Sequence, residues 1–365
     1  MRQRQRAGGK RGIAAALVAV AAMFSAAVLV FGFNTFQDNL GTLSAPVPVA
    51  ARWNSMPVAW LLNSATPGNN VSNTGCSGSL ATCIQQSLSA GFTTWMNAQV
   101  AGQSLTTVNV SGPTSSTLTD PVYNDCQNVV GFSDTTSSDF STGTIAFTQV
   151  STVTRPSGST GPFQYQCSGG SNKTCNFDDC LADADIEFNP SENFTTSLSP
   201  PANTFSLQSV ATHEEGHLLG LDHSGIGHAV MFPFGDSTVA GQQVTLATDD
   251  AIGISDLYPA SNFSAATGTI SGTVNLSGAG VFGAHVVAVN ANTGNAVTDA
   301  ITASNGSYHL VVPPGNYRVL ALPFSSNADS GVLTIDNFSG WLCGYGDSQC
   351  TNVPANPTSY TGRYH

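Results

Sequence analysis

Four residues close together in the sequence combine metal-binding with proton-transferring side chains. On a helix, positions four apart lie on one face, so His213 and His217 can reach a single metal ion. Glu214 directly follows His213, so its carboxylate can lie beside the metal and stay free to act as a base. Gly220 permits a sharp turn that brings His223 round as a third ligand. Three protein ligands leave one coordination position open, which is the arrangement of catalytic zinc.

Two plainer interpretations compete with a catalytic zinc site. One is a helix with surface histidines and no metal, and the other is a zinc site that is purely structural. The extended pattern fixes five positions, and four of the seven histidines fall within sixteen residues, which disfavours the first. Glu214 disfavours the second, because a structural site closes with a fourth ligand and has no use for a base. His228 lies past the third ligand, and we interpret it as structural.

The elements that must position these residues are three helices and about five short strands. A helix over 206–220 carries the histidines, and a second over 81–98 has an apolar stripe at helical spacing. A third is expected over 248–258, with Thr248 as N-cap and Pro259 ending it. The strands are expected at 57–62, 106–110, 128–132, 144–150 and 184–188. This mixture predicts an α+β fold for residues 52–260.

The chain changes character after Pro259. A polar linker over 261–267 leads to alternating strands at 269–274, 285–289, 308–312 and 317–322, separated by turn residues. No helical period appears there, so we expect a small antiparallel β-sandwich over 268–323. The remaining residues, 324–365, form a Gly- and Asn-rich extension without a clear pattern.

Charge and hydropathy indicate export. Five of the ten basic residues lie in the first eleven positions and precede an apolar stretch, so residues 1–33 read as a signal peptide or an N-terminal membrane anchor. Residues 34–51 are interpreted as a linker. The net charge of -12 disfavours binding to nucleic acid. We therefore expect a secreted protein, or one anchored in the membrane and facing outside.

Eight cysteines fit an oxidising compartment. Short spacings predict the disulfides Cys76–Cys83 and Cys343–Cys350. The middle four cysteines allow three connectivities, and the sequence does not choose among them; they are Cys126, Cys167, Cys175 and Cys180. A zinc–thiolate site is the rival interpretation.

The histidine segment resembles the matrixins, a branch of the metzincin zinc peptidases. Met231 stands eight residues after His223 in a Val-Met-Phe-Pro turn, and Ser224 follows the third histidine directly. Residues 246–254 are similar to the closing helix of matrixins, and residues 183–188 to the strand that lines their substrate cleft. The resemblance is strong over 181–259 and weaker over 52–180. It implies a metzincin domain with a mixed, mostly parallel sheet.

The resemblance also implies an activity and a set of roles. The chain would be a metalloendopeptidase that cleaves extracellular proteins or peptides with a zinc-activated water, as a monomer. The implied roles are zinc ligation by His213, His217 and His223, base catalysis by Glu214, an apolar floor at Met231, and substrate contacts by Pro233, Phe234 and Ala184.

Two departures from the matrixin pattern and one open question concern metals. No cysteine-switch motif precedes the domain, and no histidine precedes His213, so one catalytic zinc is expected rather than two. A structural Ca²⁺ could use the oxygen donors of Asp178, Asp179, Asp183 and Asp185. The alternative for these four residues is a solvated acidic loop.

The region 268–323 resembles the carboxypeptidase regulatory-like domain, a β-sandwich appended to many secreted enzymes. Its turn-and-strand marks, such as Asn305–Tyr308 and Pro314–Tyr317, carry no catalytic chemistry. Two other functions stay open. One is an extracellular binding or adhesion protein that uses the metzincin fold and the β-sandwich as a scaffold. The other is a zinc hydrolase acting on a non-peptide bond.

Overall fold

A computed structural model describes residues 34–39, 48–64, 70–116, 122–132, 140, 143–235, 243–324, 333, 338 and 363–364. Residues 1–33, expected to be a signal or anchor, lie outside the described residues, as do Cys343 and Cys350. Among the described residues no helix has the length and apolar character needed to cross a bilayer.

Four helices are present in the part of the chain that the structure describes: α1 (Leu80–Met96), α2 (Leu207–Leu218), α3 (Thr248–Leu257) and α4 (Phe263–Ala266). The short α4 falls in the region predicted as a polar linker. Ser206 caps α2, and its Oγ accepts from the Ser209 N–H at 3.4 Å. The predicted N-cap Thr248 of α3 is wrong. That cap is Ala247, because the Asp250 carboxylate reaches back to its N–H at 2.7 Å.

Fourteen strands lie among the described residues before α3. They are β1 (Gln37–Asn39), β2 (Pro48–Ala50), β3 (Val58–Leu62), β4 (Val71–Ser72), β5 (Gln99–Val100), β6 (Gln103–Ser104), β7 (Val110–Ser115), β8 (Val129–Gly131), β9 (Ala146–Thr154), β10 (Phe163–Gln166), β11 (Asn172–Cys175), β12 (Asp179–Phe188), β13 (Phe194–Thr195) and β14 (Phe205–Ser206). The strand predicted at 106–110 instead begins at Val110. The Gly-, Ser- and Cys-rich stretch 151–179 contains the antiparallel β10–β11 hairpin.

The main sheet has five strands in the order β7-β3-β8-β12-β9. The pairings β3–β7, β3–β8 and β8–β12 are parallel, and β9 joins the edge antiparallel to β12. This is the mixed, mostly parallel sheet that the sequence predicted. Helix α1 packs beside α2, and its buried stripe of Ile84, Leu88, Phe92 and Trp95 enters the shared core.

The described part of 34–51 is not a free linker. Strands β1 and β2 pair with each other, the buried Phe36 belongs to the main core, and Thr35 forms a bridge with Leu221. The Phe36 N–H donates to the Gly220 carbonyl at 3.0 Å. Apolar Phe36 and backbone pairing together attach this segment to the end of α2, which a composition-based prediction of a linker could not reveal.

Three disulfides are present among the described residues of 34–266, which we call the first unit. Cys76–Cys83 is present as predicted. The middle four cysteines pair as Cys126–Cys167 and Cys175–Cys180, which selects one of the three connectivities and excludes a thiolate metal site among them. The Cys175–Cys180 disulfide joins the end of β11 to the start of β12.

Where the structure describes the chain after α4, it has eight strands: β15 (Gly268–Thr273), β16 (Asn275–Leu276), β17 (Ala279–Gly280), β18 (His285–Asn290), β19 (Ala296–Ile301), β20 (Ser307–Val312), β21 (Tyr317–Leu322) and β22 (Arg363–Tyr364). Sequence analysis missed β19. Strands β15 and β20 pair antiparallel, and β18, β19, β21 and β22 form a second antiparallel sheet. Residues of both sheets, such as Val286, Ala300 and Leu310, share one apolar cluster. We call β15–β22 the C-terminal unit.

Candidate metal centre

Helix α2 presents two histidines whose rings are fixed by backbone carbonyls. The Nδ1 of His213 lies 2.7 Å from the Val230 carbonyl oxygen, and the Nδ1 of His217 lies 2.8 Å from that of Leu221. A carbonyl can only accept, so both Nδ1 atoms carry the proton. Each Nε2 therefore keeps a lone pair, which is the state a metal ligand needs.

The third histidine reaches the same point through a turn. Gly220 has φ +104°, in the left-handed region that favours glycine, and an added Cβ would lie 2.9 Å from the Ala51 carbonyl oxygen. The turn places the His223 Nε2 3.3 Å from the His217 Nε2, which in turn lies 3.1 Å from that of His213. The structure thus brings together the three histidines that the sequence singled out.

The surroundings favour the uncharged form of His213 and His217. Burial lowers the pKa of His217 to about 4. Burial, followed by the nearby His217, lowers the pKa of His213 well below its usual range. Potential ligand atoms of all three histidines lie within 4.8 Å of one another. Three buried imidazoles converging on one point fit a zinc ion, because their mutual approach otherwise gains no favourable interaction.

Glu214 is buried beside the histidines and is held by a strand residue. The Thr148 Oγ1, on β9, donates to the Glu214 Oε2 at 2.7 Å, while the Glu214 Oε1 has no hydrogen-bond partner among the described residues. Burial raises the pKa of Glu214 to about 7, and the Thr148 hydrogen bond opposes that rise. A carboxyl group with one free oxygen and a pKa near neutrality suits proton transfer. Sequence analysis missed Thr148, since a lone threonine in a strand carries no signal.

Met231 lies in a turn that packs against α2 and is anchored by α3. The Asp250 carboxylate accepts from the Val230 N–H at 2.8 Å and from the Met231 N–H at 3.0 Å. The Val230 carbonyl also holds the His213 ring. Asp250 therefore positions the ligand His213 indirectly, through the backbone of Val230. The fully buried Met231 comes so close to α2 that a Cβ on Gly216 would lie 2.3 Å from its Sδ.

That contact gives a stability prediction. The substitution Gly216→Ala is expected to lower the free energy of unfolding of the metal-free chain by about 1–3 kcal/mol, since overpacking outweighs the helix preference of alanine. Urea titration measures the change. Gly227→Ala is the matched control, because an added Cβ there meets nothing within 4 Å. Equal stability of the two variants would contradict the tight packing of Met231 on α2.

The predicted substrate-contacting residues occupy different environments. Pro233 is buried, and Phe234 is half-buried with its ring 5.7 Å from that of Phe232. Ala184 is fully buried on β12, an inner strand of the sheet, so its expected place in the cleft is wrong. The edge strand next to α2 is β9, which supplies Thr148. His228 is exposed and outside the histidine cluster.

The segment after residue 33 also contacts the centre, which sequence analysis did not anticipate. The Asn34 side-chain amide donates to the His223 carbonyl at 3.0 Å, and the Phe36 ring centroid lies 5.8 Å from that of His217. The Asp222 N–H donates to the Asn34 carbonyl at 2.9 Å. These contacts add a backbone support to the loop that carries the third histidine.

A second acidic group is buried in the sheet. Asp183 and Asp185 are buried on β12, so the alternative of a solvated loop is wrong for them. Asp178 differs, since it is paired with Arg155 at 2.7 Å and half-exposed. Burial and then Asp125 raise the pKa of Asp183, while burial and then Asp183 raise that of Asp185. Asp183 Oδ1 and Asp185 Oδ2 have no hydrogen-bond partner among the described residues.

Comparison with known proteins agrees with this geometry. Residues 169–259 match the family model described as Matrixin. Metalloendoproteinase 2-MMP of Arabidopsis thaliana is 40% identical over 103 residues, which is 28% of this chain and 26% of that protein. Karilysin of Tannerella forsythia is 28% identical over 177 residues, 43% of this chain and 34% of that protein. The hatching enzyme of Paracentrotus lividus is 38% identical over 85 residues, 23% of this chain and 14% of that protein.

Each alignment covers only part of this chain and only part of the relative. The chain spans about a third or less of the length of these relatives. The matched segment contains β12, α2, the three histidines, the Met231 turn and α3. It supports a matrixin-like metzincin segment with the chemistry of a metalloendopeptidase. The C-terminal unit lies outside the matched segment.

Proposed function

We propose that this chain, whose residues 169–259 form a matrixin-like metzincin segment, is an exported zinc-dependent endopeptidase. The observation that carries the proposal is the convergence of three buried histidines beside a glutamate with one free oxygen. His213, His217 and His223 would hold the zinc ion. Zinc supplies Lewis-acid polarisation of water and of the scissile carbonyl.

The protein residues contribute proton transfer and rigidity. Glu214 would take a proton on its free Oε1 while Thr148 holds its Oε2, so the carboxylate keeps one orientation. The same group would return the proton to the leaving amine, as microscopic reversibility of acid–base catalysis requires. Asp250 and the Val230 carbonyl fix the ring of His213. Met231 closes the apolar floor, while Pro233 and Phe234 border the pocket for the residue after the scissile bond.

The Thr148 contact predicts a change in the pH profile. Glu214 must be ionised to accept a proton, so kcat/KM rises with pH through its pKa. Thr148→Val removes a donor that favours the carboxylate, and the pKa then rises. We expect the acid limb to move up by about 0.4–1 pH unit, the equivalent of one hydrogen bond. Thr148→Ser keeps the hydroxyl donor, so its acid limb should have the same midpoint as that of the parent. If the midpoint does not move in Thr148→Val, the Thr148–Glu214 contact has no part in catalysis.

The substrate class can be tested with unstructured proteins. Zinc-loaded protein is expected to cleave casein or gelatin at internal bonds, and a zinc chelator should stop the cleavage. Intact casein in the presence of stoichiometrically bound zinc would reject the endopeptidase. Binding without cleavage would then favour the adhesion scaffold, and hydrolysis of small esters alone would favour a non-peptide hydrolase. N-terminal sequencing of exported protein tests whether the signal or anchor of residues 1–33 is removed.

We also propose that the buried acidic group on β12 holds a structural Ca²⁺. Asp183 and Asp185 are buried with one oxygen of each lacking a partner among the described residues, and the carboxylates of Asp125 and Glu187 lie close enough to repel them. A hard cation would take carboxylate oxygens and offset that repulsion. The sequence-based prediction of a calcium site also included Asp178, but Asp178 forms an ion pair with Arg155 instead.

The calcium proposal has a defined pH dependence. The pKa values of Asp183 and Asp185 are raised in the fold, so the cation-free chain loses stability as pH rises above about 3.9, the ordinary carboxyl value. Calcium at 100 times its Kd should stabilise the chain by about 2.7 kcal/mol at pH 8, and by less at pH 5, where it must displace protons. Calorimetry measures both. Asp178→Asn should keep the response, and an unchanged melting temperature at pH 8 would reject the site.

A further inference from the structure

The loop that follows the third histidine is held from two sides. The Ser224 Oγ donates to the Asp249 Oδ2 at 2.5 Å and lies 3.4 Å from the Asp299 Oδ1. The Gly225 N–H donates to the Asp299 Oδ2 at 2.9 Å. Asp249 lies on α3, whereas Asp299 lies on β19 of the C-terminal unit. The two residues directly after His223 are therefore bonded to both units of the chain.

Asp299 is itself firmly placed. It is fully buried, and its backbone N–H donates to the Asp249 Oδ1 at 3.0 Å. The His285 Nε2, on β18, lies 2.8 Å from the Asp299 Oδ2. The His285 ring in turn stacks on Phe324 with centroids 5.4 Å apart. A buried carboxylate with several partners of this kind resists reorientation, because any rotation would leave polar groups unpaired.

Close packing reinforces these hydrogen bonds. A Cβ on Gly225 would lie 2.3 Å from the His285 Nε2 and 2.7 Å from the Asp299 Oδ2, so the loop backbone rests directly on these side chains. Val311 of β20 belongs to the main hydrophobic core of the first unit. The C-terminal unit is thus packed against the metal-centre loop through polar and apolar contacts.

We propose that Asp299 is a positioning residue for the metal centre: by holding Gly225 and Ser224 it fixes the loop that carries His223. The proposal rests on the proposed zinc peptidase function. It gives the C-terminal unit a role in the catalytic centre that lies outside the matrixin match, since Asp299 and His285 both follow residue 259.

The physical reason is loop freedom. Loss of the Asp299 carboxylate would remove the acceptor of the Gly225 N–H and one of the two acceptors near the Ser224 Oγ. Donors left without a partner destabilise the observed loop position relative to others in which they are hydrogen-bonded. A loop that samples several positions holds His223 correctly for only part of the time. Partners beyond the ligands usually change metal affinity or activity by about 10–100-fold, and this indirect support belongs at the lower end.

The decisive variant is Asp299→Asn in the full chain, which keeps the shape but turns one acceptor oxygen into a donor. We expect the Kd for Zn²⁺, measured by chelator competition, to rise about tenfold. We expect kcat per bound zinc to fall by a similar factor with KM within about twofold, and the visible bands of the Co²⁺-substituted protein to shift. Arg318→Gln, on the exposed side of β21, is the control in the same unit and should change none of these.

A second variant covers the case in which Asp299→Asn does not fold. His285→Phe removes the donor to Asp299 but keeps a ring to stack on Phe324, and it should move the Zn²⁺ Kd and the Co²⁺ bands in the same direction by a smaller factor. Unchanged Kd and Co²⁺ spectrum in a folded Asp299→Asn, or in His285→Phe where the former does not fold, would overturn the proposal. Both readouts need no substrate, so a wild-type chain that binds zinc without cleaving peptides would refute the peptidase alone.

Discussion

Replacing Glu214 with glutamine is expected to lower kcat for peptide cleavage by a factor of about 10²–10⁴, the range that general acid–base catalysis contributes. The amide keeps the size of the side chain and can still meet Thr148, but it cannot accept and return a proton. Since Glu214 is not among the three converging ligands, bound zinc should stay at one ion per chain. Fluorogenic peptide assays and metal analysis on the same samples measure both quantities.

The neighbouring glutamate provides a matched control. Glu215 is also fully buried, but it faces α1, where a Cβ on Gly91 would lie 2.2 Å from its Oε2. Burial raises its pKa well above the usual range, so the group is held as a neutral carboxyl that an amide resembles. Glu215→Gln should therefore keep kcat within a few-fold of the parent. Full activity of Glu214→Gln would exclude Glu214 as the base.

Replacing His217 with alanine is expected to abolish both zinc binding and cleavage. Its Nε2 lies 3.1 Å from that of His213 and 3.3 Å from that of His223, which makes it the central ligand of the three. Two remaining imidazoles cannot complete a catalytic zinc site with three protein ligands. We expect less than about a tenth of the parent zinc content after dialysis, since each lost ligand or partner costs at least tenfold in affinity.

His228→Ala is the control for a general effect of losing a histidine. His228 is exposed and outside the cluster, so its variant should keep one zinc ion and the parent activity. Stoichiometric zinc in a folded His217→Ala would show that the ion is held elsewhere. That result would also remove the basis for assigning His213 and His223 as ligands.

The parts of the site that the sequence predicted are those set by local geometry. Helical periodicity brings His213 and His217 to one face, and a glycine able to adopt φ +104° turns the chain toward His223. Both rules act within a few residues. The order of the three main helices also followed from local patterns, although several of their ends shifted by one or two residues. The mixed sheet was implied by the resemblance to the matrixins.

The supports of the site were not predictable because they come from distant segments. Thr148 reaches Glu214 across 66 positions, and Asp299 reaches Gly225 across 74. Strand order decides which strand lies at the edge, and a single sequence gives no such order. That is why Ala184, on the inner strand β12, was assigned to the cleft in place of the edge strand β9.

Composition was a poor guide to the segment before residue 52. Small residues and prolines suggested a linker, yet Asn34 and Phe36 contact the metal centre. The acidic residues near 180 were similarly ambiguous. Strand β12 is buried along its whole length, which buries Asp183 and Asp185. Only the fold shows that Asp125, from a distant segment, lies close to them together with Glu187 of the same strand.

X-ray absorption at the zinc edge of the purified, zinc-loaded chain tests the central claim most directly. The account predicts one zinc ion per chain, bound by three imidazole nitrogens at about 2.0–2.1 Å with oxygen completing the shell. All the cysteines in the described residues are in disulfides, so no sulfur scattering is expected from them. A zinc–sulfur distance of about 2.3 Å, or a folded chain that retains no zinc, would contradict it.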